Sequence, residues 1–287
     1  MVYTLTVNPS LDYIVKTDIV PNTLNRSSED VLYPGGKGIN VSVMLTRLGC
    51  KNTAIVPIAG QTGVMLKDML HRLVDAEYVF LDKGMTRINM KALGKNGETE
   101  INGKGINVCL DDLKRPLDHI TPEDILVISG SFTDYSLIDK IVDYVQTDRI
   151  VYDIPHIEYA LTHRPFVLKP NFSELEEYFG GKIQKDEVEK YAQRLLELGC
   201  RNVLISMGAD GAYFCNKNFA FYLQAPQGRC INSIGSGDSM LAGLLYGIAN
   251  SMPVENTVKL AVCCGSATAF TQYIATKEEV DILAAQI

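Results

Sequence analysis

The chain has 287 residues, 46% hydrophobic and 21% charged, the proportions of a globular protein whose core needs no disulfide or metal staple. Twenty-seven Lys and Arg against 34 Asp and Glu leave a net charge of -7, which argues against nucleic acid as a partner. Seven scattered cysteines form no Cys-x-x-Cys pair and four histidines show no ligand spacing, so reduced thiols in the cytoplasm are expected rather than disulfides or a metal cluster. No apolar run reaches ~18 residues, so neither a signal peptide nor a membrane span is expected.

In chain order the pattern is strand, loop, helix, repeated. Tyr3–Val7 reads as a strand. Gly38–Leu48 reads as a helix ended by Gly49. Strand Thr53–Ile58 and helix Met65–Leu73 follow. Ile125–Ser129 is continuously apolar, as expected of a strand covered on both faces. Helix Leu137–Val145, strand Ile150–Asp153, helix Val188–Leu198 and strand Asn202–Ser206 continue the alternation. Helices Asp238–Ala249 and Val254–Thr271 close the chain. Such alternation predicts one α/β domain with a mostly parallel sheet and helices on both sides.

Residues 12–33 and 86–103 break the rhythm. They lack helical spacing, and Lys95-Asn96-Gly97 between Arg87–Ala92 and Glu98–Asn102 is a hairpin signal. They read either as plain surface hairpins or as a small β-lid over the carboxyl ends of the strands.

Four segments carry chemistry. In Ile234-Gly235-Ser236-Gly237-Asp238, glycines let backbone N–H groups approach an anion at the start of a helix. Asp238 reads as a helix cap or as a base, and a carboxylate beside a phosphate site is costly unless it must accept a proton. Pro34-Gly35-Gly36-Lys37-Gly38-Ile39-Asn40 also leads into a helix. It is neither a Walker A loop nor Gly-x-Gly-x-x-Gly, and taken alone it fits a tight strand–helix turn. In Lys169-Pro170-Asn171-Phe172-Ser173-Glu174, a helix starting at Ser173 would let Asn171 and Glu174 face a water-held Mg²⁺; Ser173 as a plain cap is the alternative. Ser206-Met207-Gly208-Ala209-Asp210-Gly211 is by itself a glycine-rich turn.

Together these segments resemble, over essentially the full length, the phosphofructokinase-B branch of the ribokinase-like sugar kinases. PGGKGIN at 34–40 and GSGDSMLAG at 235–243 match its two signatures, and LKPNFSEL and SMGADG its nucleotide side. The resemblance implies a ribokinase-like three-layer α/β sandwich with a small β-sheet lid, formed by one domain over residues 1–287. It implies ATP as co-substrate, Mg²⁺, and a base, Asp238, beside an anion hole from Gly235, Ser236 and Gly237. It places Asp12, Gly36, Lys37, Asn40 and Ser131 on the sugar, and Arg87 on the substrate's existing phosphate with Arg26 assisting. Lys169, Asn171, Ser206, Gly208 and Gly211 fall on the nucleotide, and Glu174 with Asn171 near the metal. The substrate side most resembles 1-phosphofructokinases acting on fructose 1-phosphate, with tagatose-6-phosphate kinases the close alternative. A non-catalytic sugar-phosphate sensor fits worse because Asp238 is intact. A dinucleotide oxidoreductase lacks its fingerprint. An apolar lid face would suit a homodimer.

The chain departs from that pattern in three places. Phe132-Thr133-Asp134-Tyr135 stands where Leu-Pro-Pro-Gly is common. Asp153-Ile154-Pro155-His156 stands for Asp-Thr/Ser-Ser-Gly. Tyr273 stands for a glycine, which leaves monovalent-cation binding open.

Overall fold

The computed structural model describes residues 1–95 and 97–286. Among them, β1 (Val2–Thr6), β4 (Asn52–Ala59), β5 (Ala76–Leu81), β8 (Ile125–Ser129), β9 (Ile150–Asp153), β10 (Val167–Leu168), β11 (Asn202–Ser206), β12 (Ala212–Asn216) and β13 (Ala220–Leu223) form one sheet. Its order is β13-β12-β11-β10-β9-β8-β1-β4-β5, and only the β11–β12 and β12–β13 pairs are antiparallel.

The central strands carry apolar side chains on both faces because both are covered. On one face Val2, Ala54, Val56, Ile125 and Val127 pack under α1 (Lys37–Arg47), α2 (Gly60–Leu70), α8 (Ser236–Ala249), α9 (Val254–Ala269) and α10 (Lys277–Ala284). On the other, Tyr3, Leu5, Leu126, Ile128 and Tyr152 pack against α3 (Leu110–Leu117), α4 (Ser136–Tyr144), α5 (Ile157–Leu161), α6 (Phe172–Phe179) and α7 (Val188–Glu197). The expected three-layer α/β sandwich is present. Its helix limits differ from the sequence reading mostly by a residue or two; α2 starts five residues before its expected Met65.

The two irregular stretches form a second, four-stranded sheet: β3 (Glu29–Gly35), β2 (Ser10–Lys16), β6 (Arg87–Gly94) and β7 (Gly97–Asn102), in that order. β2 pairs parallel with β6, and the other two pairs are antiparallel. Asn96 of the expected turn lies outside the described residues, with Gly94 and Gly97 paired on either side. Register puts Ser10 with Arg87, then Asp12 with Tyr33, Asn89 and Asn102, then Ile14 with Val31, Lys91 and Glu100. Paired residues share a face, so this polar row points one way. No helix among the described residues is long and apolar enough to cross a membrane.

Candidate active site

One cavity of about 870 Å³ lies between the two sheets. Its floor is built at the carboxyl ends of the parallel strands, where open α/β sheets hold their ligands. Thr6 ends β1 and Asn8 follows it, Gly130 and Ser131 follow β8, Pro155 follows β9, Lys169 follows β10, and Ser206 ends β11. The small sheet supplies a roof from Ser10, Asp12, Arg87, Asn89, Lys91, Glu98, Glu100 and Asn102. The start of α8, Gly235 to Asp238, closes one side.

Gly235 caps α8 with φ +77°, and a Cβ there would lie 2.6 Å from Ile274 Cδ1, so the position requires glycine. Ser236 N–H donates to Ser233 O and Ser239 N–H to Gly235 O. Of the first-turn amides, those of Gly237 and Asp238 therefore remain for an anion. Ser236 Oγ is buried without a hydrogen-bond partner, a donor suited to the same anion. The Ser236 backbone amide, expected from sequence to face an anion, is thus taken up by Ser233, and the hydroxyl is the donor this residue has spare.

Asp238 is 7% exposed and accepts a hydrogen bond from Asn40 Nδ2 at 2.8 Å. Burial, with Asp153 adding, pushes its carboxyl up to about 6, against the opposing pull of Lys37 and Asn40. A carboxylate tuned toward neutrality in a cleft suits a general base.

Beside it sits a chain of buried charges. Asp153, fully buried, accepts from Lys37 Nζ at 2.8 Å on Oδ1, and its Oδ2 lies 3.3 Å from Lys169 Nζ. Lys37 also lies 3.6 Å from Glu174 Oε1. Burial opposes the charge on Asp153, but Lys169 and Lys37 outweigh it and hold the carboxyl below its usual range. Burial likewise opposes the Lys37 ammonium, yet Asp153, Glu174 and Asp238 keep it protonated above its usual range. Burial, with Asp153 nearby, pushes the Glu174 carboxyl up despite Lys37.

The sequence-predicted residues divide accordingly. Gly36, Lys37, Asn40, Ser131, Lys169, Asn171, Glu174, Ser206 and Gly208 all line the cavity with Asp12, Arg87 and the α8 start. Lys37, expected on the sugar, has its ammonium paired with Asp153 and Glu174. The helix expected from Ser173 begins at Phe172 and is capped by Asn171 in a reciprocal pair: Asn171 Oδ1 accepts from Glu174 N–H at 3.0 Å, and Glu174 Oε2 accepts from Asn171 N–H at 2.9 Å. Gly211 is not in the cavity lining; a Cβ there would sit 2.1 Å from Leu223 O, so it serves strand packing. Arg26 is exposed and outside the lining, with its carbonyl accepting from Thr17 Oγ1 at 3.2 Å.

On the roof, Asp12 Oδ1 accepts from Ser10 Oγ at 2.7 Å and from Asn89 Nδ2 at 3.0 Å. Arg87 is half-buried; burial lowers its affinity for the proton, with Asp12 opposing. Its Nε is buried without a partner, and its Nη1 reaches only Gly103 O at 3.5 Å. Asn89, Lys91, Glu98 and Asp153 were not among the expected site residues. Alternation along β6, with Arg87, Asn89 and Lys91 on one face, was the available signal for two of them.

The three sequence departures have places of their own. His156 meets the Tyr135 ring edge-on at 4.9 Å, so the changed segments after β8 and β9 pack on one another behind Ser131 and Pro155. Tyr273 stacks on Tyr33 of the roof at 4.6 Å and 8°, under Arg47 at 5.6 Å. Its hydroxyl is buried without a partner.

Known proteins match this arrangement throughout. Residues 5–279 match the description pfkB family carbohydrate kinase. A 1-phosphofructokinase of Bacillus subtilis is 40% identical, covering 100% of this chain and 98% of that protein. A D-tagatose-1-phosphate kinase of Bacillus licheniformis is 31% identical, covering 100% of this chain and 98% of that protein. Phosphofructokinase-2 of Escherichia coli, solved with potassium, superposes with a TM-score of 0.90 at 28% identity, covering 99% of this chain and 98% of that chain; a tetrameric inhibited form of it has also been solved and superposes at 0.89. A fold, a buried carboxylate at a helix start and a sequence match over nearly the whole chain agree: the chain belongs to the pfkB family of carbohydrate kinases.

Proposed function

We propose that the chain is an ATP-dependent 1-phosphofructokinase, converting fructose 1-phosphate to fructose 1,6-bisphosphate in the cytoplasm. The observation that carries the chemistry is Asp238, a buried carboxylate raised toward neutrality at the α8 start. The substrate choice is supported by the 40% identity to the Bacillus subtilis enzyme and by Arg87, whose buried Nε has no partner. Seven free cysteines suit a reducing compartment.

In this reading Asp12 and Ser131 hold sugar hydroxyls, and Asn40 orients Asp238. Asp238 accepts the proton of the attacking hydroxyl as it bonds to the γ-phosphorus and ADP leaves. The amides of Gly237 and Asp238, the Ser236 hydroxyl and the Lys169 ammonium receive the charge on the transferring phosphoryl group. Ser206 and Gly208 border the nucleotide. Glu174 fits Mg²⁺ held through water: its Oε2 caps α6, while its Oε1 lines the cavity, held only by a 3.6 Å ion pair with Lys37. Asn171 fits less well, because its Oδ1 caps α6. Bound there with the nucleotide, Mg²⁺ would neutralise phosphate oxygens. The small sheet acts as the lid of a single domain over residues 1–287, excluding water from the γ-phosphate. Its face away from the cavity exposes Ile88 (44%) and Ile101 (57%), which suits a second copy of the chain.

The test is ADP release across a panel of fructose 1-phosphate, tagatose 1-phosphate, tagatose 6-phosphate, fructose 6-phosphate and the free hexoses. Fructose 1-phosphate should give the highest kcat/KM. Tagatose 1-phosphate is the second reading, favoured by the Bacillus licheniformis relative. Preference for a free hexose, or no sugar-dependent ADP release, would overturn the assignment.

A further inference from the structure

Four basic side chains line the cavity among the described residues: Lys37, Arg87, Lys91 and Lys169. Two of them are committed to the buried carboxylate of Asp153 on the floor. A second cation to join Arg87 at the substrate's phosphate must therefore come from the roof. Lys91 stands two positions beyond Asn89 on the same face of β6, separated from Arg87 by four residues, about 13 Å along a strand. Both long side chains can converge over Asn89. Lys91 is only 9% exposed, and its ammonium rests 3.3 Å from Glu100 Oε1. Glu100 in turn accepts from Asn102 Nδ2 at 3.3 Å, with Glu98 also lining the roof.

A dianionic phosphate cannot approach Glu98 and Glu100 without a cation between them. An ammonium on a flexible stem can turn from a carboxylate to a phosphate at little cost, which a planar guanidinium fork does less readily. We propose that Lys91 is a specificity-determining residue that grips the substrate's existing phosphate together with Arg87, and that Glu100 is its resting partner, displaced by that phosphate. This rests on the sugar-phosphate kinase reading above. The resting pair also gives discrimination: a dianionic phosphate competes with Glu100 for Lys91, whereas a neutral sugar does not.

Opposing substitutions separate this role from a structural ion pair. Lys91→Met should raise the KM for fructose 1-phosphate roughly 10- to 150-fold, the scale of a lost charge-assisted contact, and leave the KM for ATP in place. Lys91→Arg should recover part of the loss. Glu100→Gln removes the same ion pair yet should lower that KM, by about 2- to 5-fold, because Lys91 is released. Titration of each protein with inorganic phosphate gives a readout without turnover, and thermal melting shows that each variant is folded. Shifts in the same direction for Lys91→Met and Glu100→Gln, in both KM and phosphate affinity, would reduce the pair to a brace of the roof and overturn the inference. A wild-type protein inactive on every sugar phosphate would instead overturn the assigned reaction, and the phosphate titration would still decide the role of Lys91.

Discussion

The floor and the roof of the cavity are built on opposite plans. The floor draws its charges from strand ends and a helix start. Asp153, Lys169, Asp238 and Glu174 are all buried, and their charges are engaged before any substrate arrives. The roof draws its charges from one face of a small sheet. There Arg87 has an unpartnered Nε, and Glu100 remains 43% exposed. A fixed floor suits the transferring phosphoryl group, where electrostatic stabilisation depends on groups that need not reorganise. A roof with spare hydrogen-bonding capacity suits a substrate that must enter, be gripped and leave.

Substitutions can break that contrast, and the floor should show the larger effects. Asp238→Asn should keep the fold and nucleotide binding but reduce kcat by roughly 10²–10⁴, the scale of a lost general base; near-normal turnover would make the residue a helix cap. Since only the ionised carboxylate accepts a proton, kcat/KM in the unsubstituted protein should fall as pH drops through about 6 and hold above it. The same group binds its proton more tightly folded than unfolded, so its contribution to stability is lost as pH rises between 3.8 and about 6. A pH–rate profile beside urea melts at several pH values reads both.

Asp153→Asn should leave Lys169 without its ion-pair partner and Lys37 with Glu174 alone, and equilibrium unfolding should register a loss of about 3–5 kcal/mol, as for other broken buried pairs. Glu100→Gln on the roof should cost only ~0–1 kcal/mol. Equal costs would erase the distinction between a fixed floor and an adaptable roof.

Arg87→Ala should raise the KM for the sugar phosphate by roughly 10- to 150-fold with little change for ATP. If a free hexose suffers equally, Arg87 braces the sheet instead of reading the phosphate. The smallest effects belong to the seam. Tyr33→Leu gives up an aromatic stack worth about 0.5–1.5 kcal/mol, and should speed amide exchange in β2 and β6. Tyr273→Phe keeps the ring and removes a buried unpartnered hydroxyl, so it should be neutral or stabilising in a thermal melt.

The same contrast governs how much could be read in the sequence. Floor loops follow strands with continuous apolar patterns, so their places along the chain were legible, and the glycines marked the start of α8. Their partners were not. Asp153 looked like part of a departure after β9, and only folding brings it between Lys37 and Lys169, 116 and 16 residues away. That pairing, which ties up the Lys37 ammonium inside the cavity, is not encoded in the Gly-rich segment that contains Lys37. Gly211 sits in a motif that reads as a nucleotide loop, yet Leu223 of the neighbouring hairpin dictates it. On the roof, alternation along β6 was a signal available for the shared face of Arg87, Asn89 and Lys91, though only Arg87 was singled out. Register with β7, which sets Glu100 opposite Lys91, is a tertiary fact that no single strand encodes.

The charges of the floor also determine which form of nucleotide can enter. Two ammonium groups, Lys37 and Lys169, face three carboxylates, Asp153, Glu174 and Asp238, so with Glu174 and Asp238 both ionised these five groups sum to one negative charge. Such a surface offers no general attraction to a polyphosphate. Bare ATP would meet net repulsion there, while ATP whose phosphates arrive already neutralised would not. On the proposed reading the floor is a filter on the ionic state of its nucleotide, and uncomplexed ATP should compete weakly for a place that the complexed form takes readily.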